Sequence, residues 1–307
     1  MSDIAVEKAL LAASNFSESA ICRRWQGIGE LPRKLQGGFP YTGVNIPALL
    51  GQIPDGTPAI FGTDSQWKTK SLERIPKSKG ISYIFIKSFK KKDKDAKDLK
   101  AEDEDLEVTE QGRVLVPYGH STLYSQGQML GFENGITNPI LEAIKRDKMD
   151  KDALVATGKR AIESAKTYMQ KWLESKNANL ISEGEMSFIV HLAADLVVGY
   201  NGGSMALAGE LMPMYPENAL EAVHRLKVRQ IMRPWGIACD ILKQLSPVFD
   251  AQVKAGELAG KEAQELFQKK RLEKLQNTQV ASEPMCPPAI QIPSAPNLIV
   301  GLGNSNW

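Results

Sequence analysis

The sequence predicts an α+β protein, in which a small N-terminal α+β domain is followed by a mainly α-helical domain. Three observations predict it. Gly80 to Phe89 is β-branched and aromatic and is entered through a glycine, which makes it the clearest strand in the chain. Apolar residues recur at helical spacing over 3–20 and again past Thr137. Between these regions, 90–110 is low-complexity and charged, with only Leu99, Leu106 and Val108 as larger aliphatic residues.

The elements follow in order. Val6, Leu10 and Ala13 line up beside Ala9, Phe16 and Ala20, so 3–20 should be a helix started by Ser2 or Asp3. From Gly27 to Pro58 glycine and proline dominate, and a helix fits only over Asn45–Leu50, with Pro47 in its first turn. Both faces of the 80–89 strand are apolar, which places it centrally in a sheet. Gly112–Tyr118 resumes a short strand-like run, and Gly131–Gly135 reads as a turn. Leu154, Ala161, Ile162, Ala165, Met169 and Trp172 mark a helix, and Ile189–Val198 is apolar enough to be buried in a bundle. Further helices are expected over 217–232 and 235–255, separated by Pro234, and over 257–275. The Pro-rich tail should run extended. The domains expected are therefore 1–92, a charged linker or insertion at 93–111, a helical domain at 112–280 that begins with a short strand, and a tail at 281–307.

Composition narrows the function. The formal net charge is only +2, but Arg23 to Lys92 holds thirteen Lys/Arg against four Asp/Glu, and 93–110 holds nine acids against three lysines. A basic block followed by an acidic run suggests a polyanion-binding domain with a solvated segment behind it. No apolar run is long enough to cross a membrane. Cys22, Cys239 and Cys286 form no CxxC pair, which points to a reducing compartment and a cytoplasmic setting.

Within the basic block, Trp25, Phe39, Tyr41, Phe61 and Trp67 interleave with Arg23, Arg24, Arg33, Lys34, Lys68, Lys70, Lys77 and Lys79. Flat rings for stacking and cations for phosphates are what sequence-tolerant binding of a single strand requires. Phe61, Tyr83 and Phe85 are expected in the core. Tyr41, in a Pro/Gly loop, and Trp67, between Gln66 and Lys68, are expected at the surface. Gly43 would let backbone approach a ligand, and Asn45 could hydrogen-bond a phosphate or cap the next helix.

The motifs Phe39-Pro-Tyr-Thr-Gly-Val-Asn-Ile46, Leu31-Pro-Arg-Lys34, Phe61-Gly-Thr-Asp-Ser-Gln66 and Pro76-Lys-Ser-Lys-Gly80, with Trp25 upstream, carry a resemblance. In this order they resemble the N-terminal single-stranded-DNA-binding domain of the ArdC antirestriction family, which also opens TraC-type primases. A fainter echo lies at Thr122–Gly131. The resemblance covers about a third of the chain. It implies single-stranded DNA as partner and a plasmid or phage setting, with Trp25, Arg33, Lys34, Tyr41, Asn45, Gln66, Trp67, Lys68, Lys77 and Lys79 as the binding residues.

The sequence also departs from that family, whose members continue into a zinc metallopeptidase domain with an HExxH helix. Here the three histidines are His120, His191 and His224, and none has a second histidine four residues away. No metal site, cofactor or catalytic residue is expected. Gly199-Tyr-Asn-Gly-Gly203 lacks the GKS/T ending of a P-loop. The expectation is a single-stranded-DNA-binding accessory protein, with the helical part serving self-association or a protein partner. Two rivals stand beside it. One is a hydrolase or primase component with an unrecognised active site in the helical half, and the other is an interaction protein that binds no DNA.

Overall fold

A computed structural model describes residues 2–90, 107–108, 113–131, 150–174 and 181–281. Most of the 93–111 segment, the 132–135 part of the expected turn, Cys286 and nearly all of the expected tail lie outside the described residues.

Helix α1 (Ser2–Cys22) buries Val6, Ala9, Leu10, Ala13 and Phe16, the stripe its spacing implies. It ends in two consecutive left-handed residues, Arg24 (φ 49°) and Trp25 (φ 62°). That conformation costs an ordinary residue ~1–2 kcal/mol, and here it turns the Trp25 indole into the core.

Strands β1 (Arg33–Lys34), β2 (Ile60–Gly62), β3 (Ile81–Lys90), β4 (Glu107–Val108) and β5 (Arg113–Ser125) form one sheet in the order β1-β2-β5-β3, with β4 also on β5. β1 and β2 run parallel, and the other pairings are antiparallel. Ile81 opposes Leu123, and a register shift at Phe85/Ile86 lets Ile86 face Pro117. The long central strand is thus β5, whereas β3 lies at the edge, contrary to the sequence expectation. The apolar character of both its faces has another cause. Ile84 joins the core with α1, while Tyr83 and Phe85 form an aromatic row with Tyr41 on the other face.

Helix α2 (Asn45–Leu50) covers that edge. The Asn45 side chain donates to the Ile84 carbonyl (3.0 Å) and accepts from the Ile84 N–H (2.9 Å). Gln52 does the same for Ser82, at 3.1 and 2.9 Å. Two side-chain amides stand where a further strand would pair, which satisfies the edge and blocks its extension.

Helix α3 (Asp64–Lys68) lies between β2 and β3 in the chain. The helical part comprises α4 (Lys151–Trp172), α5 (Glu183–Gly202), α6 (Met205–Leu211), α7 (Glu217–Arg225), α8 (Met232–Leu245) and α9 (Pro247–Ala281). Asp150 and Ser182 cap α4 and α5 through Ala153 N–H and Glu185 N–H. Pro234 does not separate helices, because it sits in the first turn of α8, where its missing N–H costs nothing. The chain breaks instead at 226–231 and at Ser246, and α9 runs on through 255–257.

The expected boundary between 92 and 112 does not separate two cores. Residues through Leu258 form one compact unit, with a second from Ala259 onward. β5, assigned by sequence to the helical part, completes the N-terminal sheet. Trp25 packs on Phe16 and edge-on to Trp235 of α8, and its indole donates to Asp195 of α5 at 2.7 Å. Trp235 in turn donates to Ser17 of α1 at 2.9 Å. Gly209 of α6 has no room for a side chain, since an added Cβ would lie 1.9 Å from the Arg24 carbonyl oxygen.

Candidate nucleic-acid interface

The interface is built outward from α3. Thr63 caps this helix reciprocally: its hydroxyl accepts from Gln66 N–H (3.3 Å), and Gln66 Oε1 accepts from Thr63 N–H (2.9 Å). Trp67 is the inward anchor. It is 1% exposed, clusters with Leu35 and Met129, and donates its indole N–H to the Tyr124 carbonyl at 3.0 Å. With Trp67 pointing in, Ser65, Lys68, Thr69 and Lys70 point out.

The connector from α3 to β3 is tied along its length to the 126–130 turn. Ile75 N–H donates to the Gln128 carbonyl (2.9 Å), Leu130 N–H to the Glu73 carbonyl (2.7 Å), and Gln128 Nε2 to the Lys79 carbonyl (2.9 Å). Arg74 lies over the Tyr124 ring, 4.6 Å from its centroid, and donates to its hydroxyl. This ribbon exposes Lys68, Lys70, Arg74, Lys77 and Lys79. Lys68 pairs with Asp64 at 2.7 Å, which holds that carboxyl below its usual range. Lys70, Lys77 and Lys79 have no carboxylate partner among the described residues. Lys77 adopts a left-handed φ of 64° at the tip of a turn.

The structure divides the sequence-expected residues. Gln66, Lys68, Lys77 and Lys79 lie on α3 and the connector. Trp25, Tyr41 and Trp67, all three expected among the binding residues, do not reach the surface, which corrects the expectation. Polar neighbours in sequence misled at Tyr41 and Trp67, because a one-turn helix and a glycine-rich loop bury a ring without any apolar periodicity. Tyr41 is 5% exposed, packs against Phe61 and Tyr83, and burial pushes its hydroxyl far above its ordinary range. Phe61 is buried as expected, whereas Tyr83 and Phe85 are half-buried.

Asn45 is buried and spends its Oδ1 and one Nδ2 proton on the β3 edge, facing the sheet and not the surface. Gly43 takes φ +59° with open space where a Cβ would stand, and its N–H donates to Cys239 Sγ at 3.2 Å. Arg33 is 3% exposed; it donates to Gly38 O (3.1 Å) and Gln252 Oε1 (3.2 Å) and lies 5.7 Å from the Tyr200 ring centre. Burial lowers its pKa and that of half-buried Lys34, whose ammonium stands 5.9 Å over Tyr41. Two further cations are exposed on the same connector: Lys70, named among the interleaved cations but not among the binding residues, and Arg74, legible only as a member of the basic run.

One cleft of about 390 Å³ opens beside α3. The Leu35–Gly37 turn forms one wall, and Ser65, Gln66, Thr69 and Lys70 form the other. The helical half offers less for chemistry. Asp195 is the most perturbed carboxyl: burial pushes it up to about 6, opposed by hydrogen bonds from Tyr215 and Trp25, each at 2.7 Å. It is shut off from solvent, so it serves as a tie between the N-terminal sheet region and α5. His191 is held by the Ser187 carbonyl (2.8 Å), and burial lowers its pKa. Among the described residues no group of three or more His, Cys, Asp or Glu side chains is placed to hold a metal ion, and no helix is long and apolar enough to cross a membrane.

Residues 12–118 match the family described as the N-terminal domain of anti-restriction factor ArdC. The N-terminal part of this chain is an ArdC-like domain. The match starts inside α1 and runs into β5, so the ArdC-like domain spans the charged segment where the sequence had suggested a boundary. Two solved structures are also similar, both of antirestriction protein ArdC from the R388 plasmid. The metal-free form is 15% identical with a TM-score of 0.43, covering 76% of this chain and 94% of that one. The Mn(II)-bound form is 13% identical with a TM-score of 0.40, covering 76% and 95%. No curated protein matches the chain.

Proposed function

We propose that this protein binds single-stranded DNA through its ArdC-like domain and acts in the cytoplasm as an antirestriction or related accessory factor of a plasmid or phage. The observation that carries the reading is the rigid connector from Lys68 to Lys79, which presents Lys70, Lys77 and Lys79 without described carboxylate partners. Unpaired cations on a fixed ribbon attract phosphates at no cost of breaking ion pairs. A single strand fits this surface better than a duplex. The helix beside it, α3, is five residues long, too short to lie in a major groove as recognition helices do. Fluorescence anisotropy of the full chain with single- and double-stranded oligonucleotides of one length tests this. The single strand should bind more tightly. Equal or tighter duplex binding would remove the single-strand assignment, and no binding to either would remove the whole reading.

The helical part contributes self-association. Leu266 and Leu272 are 53% and 60% exposed on α9, and at 3.6 residues per turn they fall within about 120° of arc. From Lys261 to Glu265 the helix carries two acids and one lysine, and from Lys269 to Lys274 four cations and one acid. An antiparallel second copy would match these halves. Sedimentation of the wild type should show a dimer that Leu266→Glu dissociates; a monomeric wild type at high concentration would rule it out.

A further inference from the structure

The cleft between the Leu35–Gly37 turn and α3 has a hydrogen-bonding polarity that its surroundings dictate, and the chain of constraint starts from a backbone group. Thr63 N–H can only donate, so Gln66 must turn its Oε1 toward it (2.9 Å). Gln66 Nε2 therefore points the other way and donates to Gln36 Oε1 at 3.0 Å. That in turn leaves Gln36 Nε2 facing away, with two N–H groups that no described residue accepts. The amide orientations, normally ambiguous, are fixed here by the helix cap.

The rest of the cleft is mixed in sign. Thr69 Oγ1 spends its proton on the Gln66 carbonyl (2.7 Å) and so can only accept from a ligand, whereas Lys70 adds an ammonium at the rim. The Leu35 side chain supplies an apolar wall. The turn that carries Gln36 is itself held: Lys34 N–H donates to Phe39 O and Leu35 N–H to Phe61 O, at 2.8 and 2.7 Å. Gly37 takes φ +75° with no room for a Cβ against the Phe39 ring. At about 390 Å³ the space lies at the lower end of the ~300–1,000 Å³ typical of small-ligand sites.

We propose that this cleft is a nucleobase subsite, selective for bases that present a carbonyl oxygen beside a ring N–H, thymine and guanine. The base would lie against Leu35, its carbonyl accepting from Gln36 Nε2 and the remaining Gln66 Nε2 proton, with Lys70 on the adjoining phosphate. Adenine is disfavoured because its exocyclic group meets the donors of Gln36 and Gln66 and it has no ring N–H to give Thr69 Oγ1. This assignment rests on the single-strand reading above, and it supplies a base contact that the buried Tyr41 and Trp67 cannot.

The test uses the full chain and three strands of equal length and charge: oligothymidylate, oligodeoxyadenylate and an all-abasic backbone. The readout is the ratio of dissociation constants, abasic over thymidine, in which electrostatic changes largely cancel. Wild type should give a ratio of roughly 10 or more, the combined worth of the hydrogen bonds to the base and its apolar contact with Leu35, and should prefer thymidine to adenosine about fivefold, the worth of one hydrogen bond. Gln36→Glu keeps the acceptor for Gln66 but removes the free donors; Ser65→Phe plugs the cleft from an exposed position. Each should bring the ratio toward 1. A wild-type ratio near 1, or variants that keep the wild-type ratio, would overturn the subsite while leaving strand binding through phosphates intact. Failure of the wild type to bind any strand would overturn both.

Discussion

Trp67 and Lys68 are neighbours in sequence and belong to opposite regions of the molecule. Trp67 is sealed between Leu35, Met129 and the Tyr124 carbonyl, whereas Lys68 begins a ribbon whose cations all face outward. The same division runs through the whole ArdC-like domain. Its tryptophans and Tyr41 hold the sheet, the turn and the helices together, and Lys70, Lys77 and Lys79 on the connector have no described carboxylate partner that a ligand would have to displace. The lesson is that an aromatic and a cation interleaved in sequence need not be interleaved on a surface. A one-turn helix is enough to send them in opposite directions.

Substitutions can sharpen or break this division. The largest effects should come from the interior. Trp67→Ala and Trp25→Ala should each cost about 3–5 kcal/mol of stability, the range for a buried aromatic truncated to alanine, read as a fall in the denaturant midpoint. A Trp67→Ala protein that melts like wild type would mean that the indole is not structural. Next in size, Asn45→Ala strands the Ile84 N–H and carbonyl at the sheet edge, at about 2–4 kcal/mol for two unsatisfied buried groups. Increased aggregation should accompany the loss, because the edge of β3 becomes available for pairing.

A smaller effect tests the tie between Trp25 and α5. Asp195 titrates near 6 when folded, against an ordinary carboxylate value of 3.8. A raised folded pKa means that the folded state holds the proton more tightly, so stability should rise as pH falls from about 6 toward 4 and stay flat above it. Between pH 7 and pH 5 the gain is about 1 kcal/mol, a few degrees at most in thermal midpoint for a unit of this size. Asp195→Asn, which keeps an oxygen for both donors, should abolish that dependence. An unchanged pH profile in Asp195→Asn would place the titration elsewhere. Smallest of all, Lys79→Gln should alter stability within ~0.5 kcal/mol, as exposed side chains do.

Much of this was legible in the sequence, for identifiable reasons. Helix α1, helix α2 with Pro47 and strand β3 were readable because periodicity and β-branching are local signals. The ArdC resemblance rested on short motifs whose order survives without a structure. What was not legible depends on tertiary contact. Nothing local reveals that Trp25 reaches α5 and α8, or that Asn45 and Gln52 close the edge of a strand far along the chain. Pro234 read as a break, yet a proline in a first turn is compatible with the helix that follows. The candidate site was half legible: the cations were visible as a basic run, but which rings stay buried was decided by packing.

The account stands most directly on the salt dependence of single-strand binding by the intact chain. Each phosphate contact contributes about −0.7 to the slope of log K against log salt. The comparison is between wild type and a triple variant, Lys70→Gln, Lys77→Asn and Lys79→Gln; asparagine is chosen at 77 because it tolerates the left-handed backbone there. The triple variant should fold with a wild-type thermal midpoint and bind with a slope shallower by about 2. A triple variant that binds with the wild-type slope and affinity would contradict the assignment of the connector as the nucleic-acid surface.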